Sequence, residues 1–293
     1  MAQTTLGILL ALAGAAFAGA VAILAKLGYR SIDSSLATAL RTIVVLGCAW
    51  GMVLLTGGQS GLGQIEARSW LFLVLSGLAT GASWLCYFRA LQIGDVNKVA
   101  PVDKSSTVLT MLLAAPLLGE ALTLQKCFCI LLIGAGTLLM IEYVPTRRTQ
   151  AGGGWFFYAA GSAVFASLTS ILTKIGIAGV DSTLGTAIRT AVVLVMAWGM
   201  ALLTCGRQIG PALRGIDRRG WIFLALSGLA TGGSWLCQNR ALQLIDASLA
   251  APIDRLSILM TVTFSFLVFG ERLSRKATAG LLLLLAGTLF LLF

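Results

Sequence analysis

SGLATGASWLCYFRALQ, at residues 76–92, returns almost unchanged as SGLATGGSWLCQNRALQ at residues 227–243. Similarity between distant parts of one chain is the signature of an internal repeat. The two stretches differ at three pairs of positions: Ala82/Gly233, Tyr87/Gln238 and Phe88/Asn239.

The repeat extends well beyond these stretches. LRTIVVLGCAWGMVLLTGG (40–58) is similar to IRTAVVLVMAWGMALLTCG (188–206), and APVDKSSTVLTM (100–111) is similar to APIDRLSILMTV (251–262). The chain therefore contains two copies of one unit, which we call the first and second copies.

The composition predicts an integral membrane protein. Hydrophobic residues make up 58% of the 293 residues, charged residues make up 11%, and the mean hydropathy is +0.93. Soluble domains carry about 25% charged residues, so this chain has too few for a soluble surface. Its apolar runs are long enough to cross a hydrocarbon core of about 30 Å as helices.

We predict an all-α fold with ten transmembrane helices. The runs lack the alternation of a lipid-facing barrel strand, so each must satisfy its own backbone hydrogen bonds as a helix. The predicted spans are about 5–26, 36–56, 70–91, 97–118, 126–144, 155–175, 184–204, 221–242, 249–269 and 277–293.

The number of spans in each copy is odd, so the second copy enters the membrane inverted relative to the first. We predict five-helix repeats at 1–144 and 155–293, joined by a linker at 145–154. In the first copy, the loops after the second and fourth spans hold Arg68 and Lys126; the corresponding loops of the second copy are more basic. Under the positive-inside rule, this bias places both termini outside the cytoplasm.

Several function classes do not fit the sequence. The net charge of +10 does not predict nucleic-acid binding, because the basic residues lie in short loops or inside the spans. The chain contains no His, which removes His-based triads and His-ligated metal sites, and it has no Walker-type phosphate loop. We expect neither enzyme activity nor a cofactor or metal, and any transport must run on a gradient or on exchange.

Charged residues inside the spans are candidates for function, because each costs at least ~2.5 kcal/mol near the bilayer centre. Each copy has its own set of these charges, and inversion places the two sets toward opposite sides of the membrane. We predict that each set lines and closes a vestibule. The alternative is that they snorkel to lipid headgroups or form fixed ion pairs. The predicted charge network is Lys26, Arg41, Arg89, Asp103, Lys104, Lys174, Arg189, Arg240, Asp254 and Arg255.

The two Asp residues are the predicted gating carboxylates. One gate would pair Asp103 with Arg41 or Arg89. The other would pair Asp254 with Arg189 or Arg240. The excess of cations in each set favours an anionic or zwitterionic substrate.

Polar side chains follow each Asp at helical spacing. Asp103, Ser106 and Thr110 are placed to share one helix face, and the pattern returns as Asp254, Ser257 and Thr261. Pro101 and Pro252 predict a loosened helix start just before these residues. The predicted substrate-cavity residues are Thr80, Trp84, Tyr87, Thr110, Thr231, Trp235, Gln238, Asn239 and Thr261.

Small residues in the third span of each copy predict close helix packing. Gly77 and Gly81 are four residues apart, and the same spacing returns at Gly228 and Gly232.

The segments YFRALQIGDVNKVAPVDKSSTVLTMLLAAPLLGEALT (87–123) and NRALQLIDASLAAPIDRLSILMTVTFSFLVFGERLS (239–274) resemble the tail of the EamA domain. That family repeats an AL after span three, a Pro-containing span four that ends in GE, and a Gly-rich final span. Arg41 and Arg189 also match a family position.

The resemblance implies a place in the drug/metabolite transporter superfamily. Its members are inner-membrane carriers with ten helices in two inverted halves around a central cavity. It also implies that both termini lie in the cytoplasm, whereas the loop charges place them outside.

The function that we predict is secondary active transport of a small polar metabolite, an amino acid or an organic anion or zwitterion, by alternating access through a midplane cavity between the repeats. We expect a multi-pass protein of the inner (plasma) membrane, monomeric or a weak homodimer, that contacts membrane lipid and no nucleic acid. Because a substrate need not be symmetric, we predict that at least one of Tyr87, Gln238 and Asn239 contacts it.

Three alternatives remain open from the sequence. One is a flippase for a lipid-linked phosphate, in which the basic layers hold the headgroup. Another is a cationic-drug/proton antiporter, which is disfavoured because residues 6–25 contain no acidic residue. The third is a membrane scaffold without transport activity.

Overall fold

The computed structural model is all-helical, with no strand in the part of the chain that it describes: residues 2–28, 32–93, 99, 102–140, 154–269 and 274–292. The predicted fold class is confirmed to this extent. The helices are α1 (Ala2–Gly28), α2 (Ser34–Thr56), α3 (Ala67–Ile93), α4 (Ser106–Leu118), α5 (Leu124–Leu139), α6 (Gly154–Gly176), α7 (Ser182–Cys205), α8 (Ile209–Arg214), α9 (Arg218–Leu244), α10 (Ala247–Arg255), α11 (Ser257–Phe269) and α12 (Arg275–Leu292).

Several of these helices suit a membrane. Within the described ranges, 7 stretches are long and apolar enough to cross it: Ala2–Leu24, Ser34–Thr56, Ala67–Ile93, Gly154–Gly176, Ser182–Arg214, Arg218–Leu244 and Ala247–Phe264. A shorter apolar helix, Leu124–Leu139, overlaps the fifth predicted span. The count of ten spans stays a prediction. Pro101 and the predicted linker, apart from Gly154, lie outside the described residues.

The chain divides into two compact units that differ from the two sequence copies. The α2 unit comprises Met1–Leu78, Leu172–Ile245 and Asp254–Gly270. The α5 unit comprises Ala79–Ile171, Asp246–Ile253 and Glu271–Phe293. Each unit thus takes helices from both copies.

Two helices of the α2 unit, α2 and α7, begin in the same way. Asp33 caps the N-terminus of α2 by accepting hydrogen bonds from the backbone N–H groups of Ser35 and Leu36. Asp181 caps α7 through Thr183 and Leu184. A carboxylate at this position satisfies N–H groups that have no partner inside the helix, so the repeated Asp specifies both helix starts.

Close packing in the α2 unit depends on the predicted small residues. A Cβ on Gly77 would lie 2.7 Å from Cβ of Val192, and a Cβ on Gly228 would lie 2.5 Å from Cβ of Val44. These two contacts occupy equivalent positions in the sequence repeat. The backbone of α3 therefore packs directly on α7, and the backbone of α9 packs directly on α2, which confirms the close-packing prediction at Gly77 and Gly228.

In the α5 unit, the backbones of α5 and α12 lie in close contact. A Cβ on Gly136 would lie 2.6 Å from the backbone N of Leu284 and 2.7 Å from the carbonyl O of Gly280. Met111 of α4 and Ile133 of α5 share a buried apolar cluster beside this contact. Small residues let the helices approach where a larger side chain would separate them.

The GE sequence at the end of α4 has a structural role in the α5 unit. Gly119 ends the helix in the left-handed conformation, at φ +70°, which favours glycine. The next residue, Glu120, accepts hydrogen bonds from the N–H groups of Ala247 at 2.6 Å and Ser248 at 3.1 Å. Glu120, which is distant in sequence, therefore accepts hydrogen bonds from N–H groups that have no partner inside α10.

The helical path is interrupted after each predicted gating Asp. Residues 102–104 are helical, a turn follows at Ser105, and α4 begins at Ser106. Similarly, α10 ends at Arg255 and α11 begins at Ser257. Pro252 itself lies inside α10, and the break falls at Leu256, so the predicted loosened helix start just before Asp254 stays a prediction. Each Asp thus belongs to a different helical segment from the Ser and Thr that follow it, so spacing alone does not place all three on one face.

Candidate functional site

A polar row runs through the α5 unit. Thr80 Oγ1 of α3 lies 3.3 Å from Thr169 Oγ1 of α6. One turn further along α3, Ser83 donates to the carbonyl O of Ser162 at 3.1 Å and lies 3.3 Å from its hydroxyl. Thr80, Ser83 and Ser162 are buried, so each hydroxyl requires a partner.

Asp103 ends this polar row. The Ser162 hydroxyl donates to Asp103 Oδ1 at 2.7 Å, a charge-assisted hydrogen bond. Lys104 Nζ lies 3.8 Å from Asp103 Oδ2, with 44% of its side chain exposed. The carboxylate is thus joined through Ser162 to Ser83, in a network that spans α3, α6 and the segment before α4.

Arg89 does not take part in that network. Its guanidinium donates to Gln92 Oε1 at 3.0 Å, whereas Asp103 bonds to Ser162. The contacts of this conformation therefore differ from the predicted gate pair of Asp103 and Arg89. The pairing of Asp103 with Arg41, which is half-buried in α2, stays a prediction.

Two aromatic cavity candidates in the α5 unit are half-buried. Tyr87 packs against the buried cluster that contains Ala90, Val99 and Ala159, and its ring meets Phe88 edge-on with centroids 5.9 Å apart. Trp84 lies one turn earlier on α3 and is also half-buried. The role of Tyr87 and Trp84 as cavity walls stays a prediction.

In the α2 unit, a residue of the predicted charge network lies against a predicted cavity residue. The guanidinium carbon of Arg189 lies 4.8 Å from the ring centroid of Trp235. The whole Arg189 residue is only 6% exposed. A cation over an indole face in a desolvated place is worth about 2 kcal/mol, so Trp235 helps to hold this buried charge.

The differing positions of the repeat have unlike surroundings. Asn239 is buried, and its amide donates to Thr186 Oγ1 of α7 at 2.8 Å. Gln238 is half-buried against α1, with Oε1 lying 3.2 Å from where a Cβ of Gly14 would stand. Asn239 therefore holds α9 to α7 in this conformation, and Gln238 lies on the α1 side of α9.

Three predicted cavity threonines use their hydroxyl protons within their own helices. Thr110, Thr231 and Thr261 donate to the carbonyl oxygens of Ser106, Ser227 and Ser257, respectively. Thr110 and Thr231 are buried and Thr261 is half-buried. Their oxygens keep acceptor capacity, so their role toward a substrate stays a prediction.

Other members of the predicted charge network lie in the α2 unit. Asp254 and Arg255 are half-buried at the helix interruption before α11. The Lys26 side chain lies outside the described residues. Lys174 donates to the carbonyl O of Ile245 at 2.7 Å, and Arg240 donates to Gln243 Oε1 at 2.7 Å. Lys174 and Arg240 line a cavity of about 470 Å³.

An acidic residue beside this cavity is held as a carboxylate. Burial alone raises the pKa of Asp181, but hydrogen bonds from Thr183 and Leu184 outweigh it, and the positive charge of Arg240 adds to their effect. The pKa of Asp181 therefore falls below its ordinary value.

Within the described part of the chain, no group of three or more His, Cys, Asp or Glu side chains is placed to hold a metal ion.

The sequence prediction missed the partners that organise these residues. Ser83, Ser162 and Thr169 form the polar row, and Glu120 with the Lys126–Asp246 ion pair, at 3.0 Å, holds the start of α10. Ser83 lies inside the opening repeat and returns as Ser234, which was an available signal. Ser162 and Thr169 have no hydroxyl at the equivalent first-copy positions, Gly14 and Val21.

Comparison with known families matches EamA, the EamA-like transporter family, at residues 5–142 and again at 153–293. The chain belongs to the EamA-like transporter family. An uncharacterized transporter in the cobO 3' region of Sinorhizobium sp is 48% identical over 133 residues, which are 45% of this chain and 94% of that relative.

One solved crystal structure shares the fold of this EamA-like chain. It has a TM-score of 0.75 and 18% sequence identity, and the match covers 99% of this chain and 97% of the other. The family match at both copies confirms the resemblance to the EamA domain. The chain is a transmembrane protein of a transporter family with several apolar helices.

Proposed function

We propose that this EamA-like protein is a secondary active transporter for a small polar metabolite, an amino acid or an organic anion or zwitterion. Its ten helices form two inverted repeats, at residues 1–144 and 155–293, in the inner membrane. Alternating access occurs through a midplane cavity lined by residues of both repeats.

A pair of equivalent contacts carries the proposal. Ser83 donates to the carbonyl O of Ser162 at 3.1 Å, and its repeat counterpart Ser234 donates to the carbonyl O of Gly14 at 2.9 Å. Each bond joins the third span of one copy to the first span of the other. This exchange of equivalent partners is expected of inverted repeats related by a pseudo-two-fold axis.

Charged groups held inside the two units favour a polar substrate. Charged groups in membrane helices are costly, and they usually face a bundle interior or a water-filled cavity. Asp103 with Ser162 in the α5 unit, and Arg189 over Trp235 in the α2 unit, fit this pattern. The net excess of cations favours substrates that carry a negative group.

Uptake into proteoliposomes tests the proposal. Vesicles containing the purified protein should accumulate labelled amino acids or organic anions under an imposed gradient, and Asp103→Asn and Asp254→Asn should reduce the rate. Glu66→Gln is the control, because Glu66 is an exposed carboxylate at the start of α3. Unchanged uptake in both Asp variants, with and without a pH gradient, would remove these residues from the mechanism.

One observation favours a second candidate, a flippase for a lipid-linked phosphate. An apolar groove of about 490 Å³ lies on the α5 unit and is lined by Leu124, Phe128, Leu131 and Phe290. Such a groove suits an acyl chain. Transfer of a fluorescent lipid phosphate between leaflets, without uptake of any soluble metabolite, would support the flippase over the metabolite carrier.

A further inference from the structure

The cavity of about 470 Å³ in the α2 unit has a basic lining. It forms where the ends of α6 and α9 meet the first turn of α1, which contributes Gln3. Lys174 and Arg240 supply two positive charges, and no carboxylate is among the described residues that line it. Its volume lies within the range of about 300–1,000 Å³ that is typical of small-molecule sites.

Three carbonyl groups beside this cavity have side-chain donors. A helix C-terminus presents unpaired carbonyls and a partial negative charge, which would repel an anion. Here Gln243 Nε2 donates to the carbonyls of Ile177 and Val180, each at 2.7 Å, and Lys174 donates to that of Ile245 at 2.7 Å. These donors reduce the repulsion.

Arg240 is the group best placed to bind an anion. It is exposed, and Nη1 donates to Gln243 Oε1 at 2.7 Å, which orients the guanidinium. A guanidinium has five N–H donors and binds carboxylate or phosphate with two parallel hydrogen bonds. The nearby carboxylate of Asp181 accepts hydrogen bonds from Thr183 and Leu184, and its negative charge also interacts with Arg240.

We propose that this cavity is a binding site for an oxyanion, the phosphate or carboxylate group of a small solute or of a lipid headgroup. Arg240 is its main ligand, Gln243 orients Arg240, and Lys174 adds positive charge. The role of this site as a vestibule for an anionic substrate rests on the proposed transport function. The proposal of anion binding does not rest on that function, because binding is an equilibrium property that is measured without transport.

The first experiment uses inorganic phosphate as the probe. Calorimetric titration of the delipidated protein in detergent should show saturable binding that weakens as the salt concentration rises. Arg240→Gln should raise Kd by about tenfold, and Arg240→Lys should lose less, because it keeps the charge but not the paired donors. The control is Arg214→Gln, which removes an exposed Arg that does not line the cavity.

The second experiment separates the two sources of the anion. Native mass spectrometry of protein from nanodiscs of phosphatidylcholine with phosphatidylglycerol should show whether the wild type retains the anionic lipid. Retention that is lost in Arg240→Gln assigns the site to a headgroup, whereas phosphate binding without lipid retention assigns it to a soluble anion. The proposal is overturned if Arg240→Gln matches the wild type in both assays, or if the wild type binds neither probe. If the wild type binds phosphate but takes up no labelled solute in proteoliposomes, the result counts against the transport proposal alone.

Discussion

At the scale of single residues, two of the predicted charges, Asp103 and Arg189, are positioned by partners from distant segments. Asp103 is bonded to Ser162, and Arg189 lies over Trp235. Neither partner lies close to these residues in sequence. Substitutions of the partners therefore test the assigned roles without removing the charge itself.

Ser162→Ala should slow uptake in proteoliposomes, because Asp103 loses a charge-assisted hydrogen bond worth about 1.5–3 kcal/mol. Ser167→Ala is a matched control on the same helix, since the buried Ser167 hydroxyl donates only to the carbonyl of Val164 in its own turn. Equal uptake rates in the two variants would contradict the positioning role of Ser162.

Trp235→Leu should lower both the melting temperature and the uptake rate, because the buried Arg189 loses the aromatic face 4.8 Å away. Trp235→Phe keeps an aromatic face and should lose less, in line with the order of cation–π strength. If the Leu and Phe variants have the same melting temperature, the ring face does not stabilise Arg189.

Asp181→Ala should lower the free energy of unfolding by about 1 kcal/mol, because α7 loses its N-cap. The lowered pKa of Asp181 sets the pH dependence of this effect. A depressed folded-state pKa adds stability above the unfolded value of about 3.9, and this stability is lost as the pH falls through the folded value. The difference between wild type and variant, measured by thermal unfolding, should be full at neutral pH and shrink below about pH 4.

At the scale of helices, close approaches and distant caps fix how the elements pack. Gly228→Ala should destabilise the protein by about 1–3 kcal/mol, because the new Cβ would lie 2.5 Å from Cβ of Val44. Gly199→Ala on α7 is the control: nothing lies within 4 Å of its Cβ position, and alanine favours a helix over glycine. Val44→Ala should recover part of the loss in a double variant, as measured by melting temperature.

Glu120→Ala should loosen the start of α10, since the N–H groups of Ala247 and Ser248 lose their acceptor. Hydrogen exchange should become faster within Ala247–Arg255 and stay unchanged in Ser34–Thr56. Protection of α10 equal to that of the wild type would show that the GE carboxylate is not needed there.

At the scale of the whole molecule, the differing positions of the repeat bear on substrate selection. Because Asn239 is buried and bonded to Thr186, exchanging the pair at 87–88 with the pair at 238–239 would disturb packing as well as specificity. The cleaner exchange is Tyr87→Gln with Gln238→Tyr, since both side chains are half-buried. We expect a changed ranking of substrates in uptake assays with a melting temperature close to that of the wild type, and an unchanged ranking would argue against substrate contact at these positions.

The sequence by itself determined the properties that depend on local composition and on similarity. Runs that are long and apolar enough to cross a membrane determined a helical membrane protein, and the two matching copies determined the EamA-like family. The caps at Asp33 and Asp181 depend on neighbours within a few residues, so these two helix starts are properties of the local sequence.

Only the tertiary structure decided which groups become partners. Ser162 meets Asp103, Glu120 meets Ala247, and Asn239 meets Thr186 across long separations in sequence. These pairings depend on how helices pack, and sequence spacing does not contain that information. Spacing placed Asp254 and Thr261 on one helix face, but the interruption between α10 and α11 assigns them to different helices. The physical reason is that a buried polar group takes whichever partner the packed helices bring within hydrogen-bonding distance.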